Sequence, residues 1–278
     1  MACDAGDGKH LEVALTDIPQ MEGTEPLSPN HASLAFGVPT SEPNTIYALS
    51  VSGGVRLGAR EERTVVFGRN RPEVHVCVGE DDLRISRSQG SVTFRGGRWW
   101  LANTGHRALQ LPRSMTLFPE DDPYPVEAGY TPVFVNGTAR RRHLLELYVA
   151  DQDGRLPRPA PDAATLRDKP WKLRADERLA LVSLAQKYLL HEAYPQPCTW
   201  QQVATDLGAL LPDEQWSSKR VEHLVSGVRR RLSRAGVPGL TREEVGEPVG
   251  NMLNHNLVTE LLQTRTLVPP DVLLLDDV

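Results

Sequence analysis

TVVFGRNRPEVHVCVGEDDLRISRSQGSV, residues 64–92, is the stretch whose reading decides the fold. It divides into a strand, a Gly-Arg loop, a second strand, a polar loop holding Ser-Arg, and a third strand. Val65, Val66 and Phe67 form an unbroken apolar run before Gly68, yet the β-branched content and flanking turn residues specify a sheet. Each of two separate turns offers an anion-binding group, Arg69 in one and the pair Ser86 and Arg87 in the other. A sheet can hold such loops side by side at one end. A guanidinium presents a planar fork that pairs with phosphate oxygens, and a serine hydroxyl can donate to a third oxygen. The competing arrangement pairs Arg69 with Glu80, Asp81 or Asp82 and leaves Ser86 to cap a turn.

Working outward, residues 46–149 carry short apolar runs at close intervals: IYALSV, GVRLG, RTVVFG, VHVCVG, LRIS, GSVTF, RWWLAN, ALQLP, MTLF, TPVFVN and HLLELYV. Between them fall Gly53-Gly54, Gly96-Gly97, Asn103-Thr104-Gly105, Pro123 and Asn136-Gly137, residues that supply positive or fixed φ. Many short strands joined by such turns predict a sandwich or barrel. In this body Trp99 and Trp100 are expected to pack, one into the core and one against a surface, while His75 alternates with the valines and is expected to face solvent.

At Gly68-Arg69 and Ser86-Arg87-Ser88-Gln89 the chain resembles the forkhead-associated (FHA) family, a β-sandwich that binds phosphothreonine peptides. The family pattern is Gly-Arg, then Ser-x-x-His, then Asn-Gly after a strand that commonly holds an aromatic. Here Gln89 stands in place of the histidine. Trp99 and Trp100 supply the aromatics, and the Asn-Gly position falls on Arg107-Ala108 or Ala108-Leu109. The resemblance implies that Arg69, Ser86 and Arg87 hold the phosphate while His106 and Arg107 face the peptide. It also implies a phosphothreonine-bearing partner and an upstream Ser/Thr kinase.

With 278 residues, 40% of them hydrophobic and 24% charged, the chain is long enough for two domains with cores of their own. No apolar run approaches the roughly 20 residues of a membrane helix, and MACDAGDGKH lacks the features of a secretory leader, so a cytoplasmic location is expected. Cys3, Cys77 and Cys198 are odd in number and far apart, which speaks against a zinc site or a disulfide framework. No metal or cofactor is expected. The net charge of -5 is unevenly spread, with a basic surplus over residues 165–235 and an acidic one over residues 236–278. Only 5 of 31 basic residues are lysine, a bias that reflects a GC-rich coding sequence better than it reflects phosphate binding.

Residues 1–43 are expected to form a flexible arm holding Thr16, Thr24 and Thr40, each either an ordinary polar residue or a phosphoacceptor that the chain's own sandwich captures. Residues 44–150 form the sandwich and residues 151–170, rich in proline, a linker. Residues 171–278 read as helical. Leu181, Leu184, Ala185, Tyr188 and Leu189 stripe a helix over 176–191, Thr199 and Gln202 make a capping box, and Val221, Leu224, Val225, Val228 and Leu232 share a third helix face. These three helices resemble a helix-turn-helix or winged-helix domain, although no clear pair of strands follows them. The resemblance makes the third helix a DNA-reading helix with Lys219, Arg220, His223 and Arg230 outward. A solvated basic face favoured by the helix dipole accounts for the same charges.

The expected architecture is therefore multidomain, an all-β FHA-like sandwich followed by an all-α helix-turn-helix or winged-helix-like domain. The expected role is that of a non-catalytic phosphothreonine adaptor whose helical domain contacts DNA, as in bacterial transcription regulators that resemble this joining of modules. The alternative is a protein-binding scaffold whose helical domain mediates homodimerisation or partner binding. An enzyme is disfavoured because no phosphate-binding Gly-rich loop with Lys, no HExxH and no nucleophile motif is present.

Overall fold

The computed structural model describes residues 23–138, 141–151, 170–247 and 249–276. The arm up to residue 22, Thr16 with it, and the linker from 152 to 169 lie outside the described residues.

The strand signals resolve into β1 (Thr24–Leu27), β2 (Ile46–Ser50), β3 (Gly53–Leu57), β4 (Thr64–Gly68), β5 (Val76–Cys77), β6 (Gly90–Arg95), β7 (Arg98–Asn103), β8 (Leu109–Leu111), β9 (Met115–Leu117), β10 (Tyr124–Val126), β11 (Gly129–Asn136) and β12 (Arg142–Val149). They build a two-sheet sandwich. One sheet has the order β1-β3-β2-β12-β11-β8-β9 and the other the order β10-β7-β6-β4-β5. Neighbours are antiparallel except β4 and β5. Between the sheets lie Phe67, Trp99, Leu101, Leu109, Val133, Leu145 and Leu147. The apolar run in β4 alternates after all, since Val65 and Phe67 are fully buried and Val66 is only half-buried. Trp99 packs edge-on to Phe94 at 5.3 Å and donates its indole N–H to the Asn44 carbonyl at 2.7 Å, so its one polar atom is satisfied inside the core. Trp100 remains half-buried, beside Arg98.

Four expectations are corrected. LRIS forms no strand: the Asp82 carboxylate accepts the Arg84 N–H at 3.0 Å and the Asp82 carbonyl accepts the Ile85 N–H at 3.0 Å. This Asx-type turn takes the backbone groups a ladder would need. His75 is buried rather than solvent-facing, because its Nδ1 accepts the Val66 N–H at 2.9 Å and draws the ring against β4. Burial lowers its pKa from the ordinary histidine value. The arm expected to be flexible as far as residue 43 contributes β1, which pairs with β3, and a 3-10 turn at Leu34–Phe36. The Thr24 hydroxyl is buried there, whereas Thr40 is exposed. Finally, the helix expected over 176–191 breaks at Ala185. The Cys198 N–H takes the Leu184 carbonyl at 3.0 Å, and the Tyr188 N–H turns to Ala185 instead.

The helical region comprises α1 (Ala175–Leu184), α2 (Gln186–Leu189), α3 (Trp200–Leu210), α4 (Ser218–Arg234), α5 (Arg242–Val245), α6 (Met252–Gln263) and a closing 3-10 segment, Pro269–Leu275. The Thr199 capping box is present, with its hydroxyl accepting the Gln202 N–H at 3.2 Å and Gln202 Oε1 accepting the Thr199 N–H at 2.9 Å. Val221, Val225, Val228 and Leu232 bury one face of α4. No strand follows α4 among the described residues. A second capping box, at Thr241 and Glu244, starts α5 where a wing would be. No helix of the described residues is long and apolar enough to cross a membrane.

The helices pack on the outer face of the seven-stranded sheet, where Phe134 of β11 and Leu144 of β12, cross-strand partners, join the helical core. The Arg142 N–H donates to Asp276 at 2.8 Å beside a 3.4 Å ion pair between the same residues, and an Arg265 amino group donates to the Phe36 carbonyl at 2.6 Å. Replacing Phe134 by Ala is expected to cost roughly 3 kcal/mol. Urea unfolding followed by tryptophan fluorescence and circular dichroism should then show the helical and β transitions separating, where the wild type unfolds with the two more nearly coincident.

Candidate functional site

Three backbone segments meet at one end of the five-stranded sheet. Where β4 ends, the Arg69 N–H donates to the Ser86 carbonyl at 3.1 Å and the Asn70 N–H to the Arg87 carbonyl at 3.2 Å, while the Gln89 N–H donates to Phe67 at 2.8 Å. The approach is too close for any side chain at position 68, since a Cβ there would lie 2.3 Å from the Arg87 carbonyl oxygen. The glycine of Gly-Arg is thus required by contact, and the arginine after it is placed opposite the serine. Arg69 Nε donates to the Ile85 carbonyl at 2.9 Å, which fixes the stem of the guanidinium.

The third segment is the turn after β7. The His106 N–H donates to Ser86 Oγ at 2.9 Å, so that oxygen already accepts one bond and its own proton can be given to a ligand. Buried Gln89 joins the two loops. Its amide nitrogen donates to Asn103 Oδ1 at 3.0 Å and to the Arg107 carbonyl at 2.8 Å, and its oxygen accepts the Ser86 N–H at 3.2 Å. Asn103 adds donations to the Arg107 and Leu117 carbonyls, each at 2.9 Å. A Cβ at Gly105 would lie 2.4 Å from the Gln89 amide, so this turn too is shaped around that side chain.

Together these segments line an open cavity of about 400 Å³ whose walls are Arg69, Leu83, Arg84, Ile85, Ser86, Arg87, Ser88, Thr104 and His106. Four of the five residues expected at an anion site, Arg69, Ser86, Arg87 and His106, are brought together there. Arg107 is not among the lining residues, and its carbonyl is consumed by Gln89 and Asn103. Arg84, Ser88 and Thr104 were missed. Arg84 had a signal in the sequence, because Asp82 two positions earlier starts the turn that brings it to the rim.

The competing arrangement, with Arg69 held by a neighbouring acid, is not what forms. Glu80 pairs with Arg71 at 2.6 Å and Asp81 with Arg141 at 3.0 Å. Asp82, buried, accepts from the Thr138 hydroxyl and N–H, both at 2.7 Å, and meets His143 Nε2 at 2.9 Å. Among the described residues no carboxylate pairs with Arg69, Arg84 or Arg87. Burial by itself would raise the pKa of Asp82. The bonds from His143, Thr138 and the Arg84 N–H outweigh it and hold the carboxyl well below the usual range.

On the helical side, Lys219, His223 and Arg230 are exposed on α4 as expected. Arg220 is engaged by its own neighbours, 2.7 Å from Glu214 and with its guanidinium 3.8 Å from the Trp216 ring centre. The basic face therefore leaves Lys219, His223 and Arg230 open to solvent, three of the four residues expected there. Further along the helix, Arg231 pairs with Glu177 at 2.9 Å.

No protein-family model matches the chain, and no curated protein matches it. Among solved structures the chain is similar to the crystal structure of the first FHA domain of Mycobacterium tuberculosis Rv1747, with 19% identity, a TM-score of 0.30 and coverage of 38% of this chain and 97% of that one. It is also similar to the solution structure of the FHA domain of an Arabidopsis thaliana hypothetical protein, with 16% identity, a TM-score of 0.31 and coverage of 41% and 92%. A third likeness is to the Rv0020c FHA structure, with 16% identity, a TM-score of 0.25 and coverage of 39% and 94%.

Two outcomes test the site's construction. A group whose folded pKa is depressed adds stability that is present above its unfolded pKa, about 3.9 for Asp, and is lost as pH falls toward the folded value. The urea midpoint of the wild type should therefore drop as pH is lowered from about 5 to about 2, and less steeply in Asp82→Asn. Gln89→Leu keeps the size of the side chain and removes its three polar links. It is expected to cost about 2 kcal/mol, because buried Asn103 Oδ1 loses a donor and the half-buried Ser86 N–H its acceptor.

Proposed function

We propose that this chain is a non-catalytic adaptor that captures a phosphothreonine-bearing protein, made by an upstream Ser/Thr kinase, in the cavity at the end of the five-stranded sheet. The observation that carries the proposal is the meeting of the Arg69 guanidinium and the Ser86 hydroxyl in one cavity, with no acid among the described residues paired to Arg69. The fork of Arg69 suits two phosphate oxygens, the Ser86 hydroxyl a third, and Arg87 adds charge. The Gly-Arg and Ser-x-x signature that resembles the FHA family supports the same ligand. Titration calorimetry of the full chain with phosphothreonine and matched unphosphorylated peptide libraries tests it. Binding should require the phosphate, and Arg69→Ala and Ser86→Ala should each weaken it at least about tenfold, as expected when a charge-assisted bond worth about 1.5–3 kcal/mol is removed. Phosphate-independent binding would defeat the proposal.

For the helical region, DNA contact through Lys219, His223 and Arg230 is the finer part of the proposal, with protein contact as the alternative. The absence of a wing among the described residues, and the engagement of Arg220 and Arg231 by acids, favour protein contact. Retention of the full chain on duplex DNA at 50 and 200 mM salt separates them. A protein neutralising three phosphates should lose roughly tenfold or more in affinity over that interval, whereas no retention at 50 mM assigns the helices to a protein partner or a second copy.

A further inference from the structure

The cavity holds more positive charge than one phosphate can neutralise. Its wall carries three guanidiniums, those of Arg69, Arg84 and Arg87, together with the exposed His106. Elsewhere Arg56, Arg71, Arg95, Arg141, Arg178 and Arg231 each pair with a carboxylate, while others among the described residues, such as Arg98 and Arg230, do not. The three cavity arginines do not, among the described residues, although Glu80, Asp81 and Asp82 lie two to four positions before Arg84 in the chain. The side chains of those acids are instead bonded to Arg71, to Arg141, and to Thr138, His143 and the main-chain N–H of Arg84, and none pairs with a cavity guanidinium. The loop is thus sorted by sign, with its carboxylates tied to the body of the sandwich and its cations left at the rim.

A phosphate ester carries about -1.5 to -2 charges near neutral pH. Set against three guanidiniums, it leaves roughly one positive charge uncompensated at a rim where Arg84 and Arg87 are exposed. Resting on the phosphopeptide reading above, we infer that the ligand is an acidic phosphopeptide, one whose phosphothreonine is flanked by aspartate or glutamate residues that meet Arg84 and Arg87. The opposing feature is Leu83, 83% exposed beside Arg84, which offers an apolar contact to a flanking leucine or isoleucine. One exposed side chain presents little area, whereas the surplus positive charge at Arg84 and Arg87 acts over a Debye length of about 10 Å at 0.1 M salt.

The test uses the full chain and three synthetic phosphothreonine peptides differing only in their flanks, which are aspartate and glutamate, alanine, or leucine, each with its unphosphorylated counterpart. Dissociation constants are measured by fluorescence anisotropy at 50 and 300 mM NaCl. The acidic-flanked phosphopeptide should bind about fivefold tighter than the alanine one at 50 mM, the scale of an exposed ion pair, and the advantage should shrink at 300 mM. Arg84→Ala, at an exposed position that leaves the core untouched, should remove most of the advantage while phosphate dependence persists. Leu83→Ser should leave it unchanged. Phosphate-dependent binding with equal affinity for all flanks, or with preference for leucine, overturns the inference and leaves the phosphate site standing. Equal binding of phosphorylated and unphosphorylated peptides overturns both.

Discussion

The site depends on how closely two backbones approach at Gly68. There β4 leaves its regular ladder and continues, through the Arg69 and Asn70 amides, along the segment that holds Ser86 and Arg87. No side chain can stand between them, so the next residue on each segment is delivered to the same cavity. Main-chain hydrogen bonds set this distance and side chains then decorate it. A basic residue and a hydroxyl that are 17 positions apart in sequence are placed together by bonds neither side chain makes.

Charge is arranged by the same loop. Three consecutive acids shortly ahead of Arg84 do not quench it, because each has a better partner elsewhere. Asp82 shows the physics most plainly: taking a carboxylate out of water is expensive, and the cost is met by two bonds from Thr138, one from the Arg84 amide and the His143 contact. Because Thr138 and His143 flank the turn from β11 to β12, the cavity loop is anchored to the opposite sheet. The neighbouring Arg142 meets Asp276 of the closing segment, so the cavity loop, the turn and the helical region form one continuous set of contacts.

Much of this was legible in the sequence. Short apolar runs with glycine turns led to a two-sheet sandwich, and Gly-Arg with Ser-Arg led to the cavity, because both depend on local chemistry that the residues themselves state. What escaped depended on partners far along the chain. LRIS has strand-like composition, but the Asp82 side chain claims its backbone. His75 alternates like a surface residue, yet β5 is two residues long and the ring folds back onto β4. The strand at Thr24–Leu27 is polar and contains Pro26, and it pairs only because β3 presents an edge to it. Arg107 sits one residue beyond the turn that faces the cavity, a matter of backbone direction that spacing alone does not fix. The split between α1 and α2 follows from the Cys198 amide, thirteen positions beyond the break at Ala185.

Gln89 carries a consequence of its own. An amide neither gains nor loses a proton in water between mild acid and mild alkali, and both ends of this one are committed, two hydrogens and one oxygen, to fixed neighbours. The spacer between the serine turn and the histidine turn is therefore electrically silent. The span that it holds between these two turns therefore keeps its dimensions as pH changes.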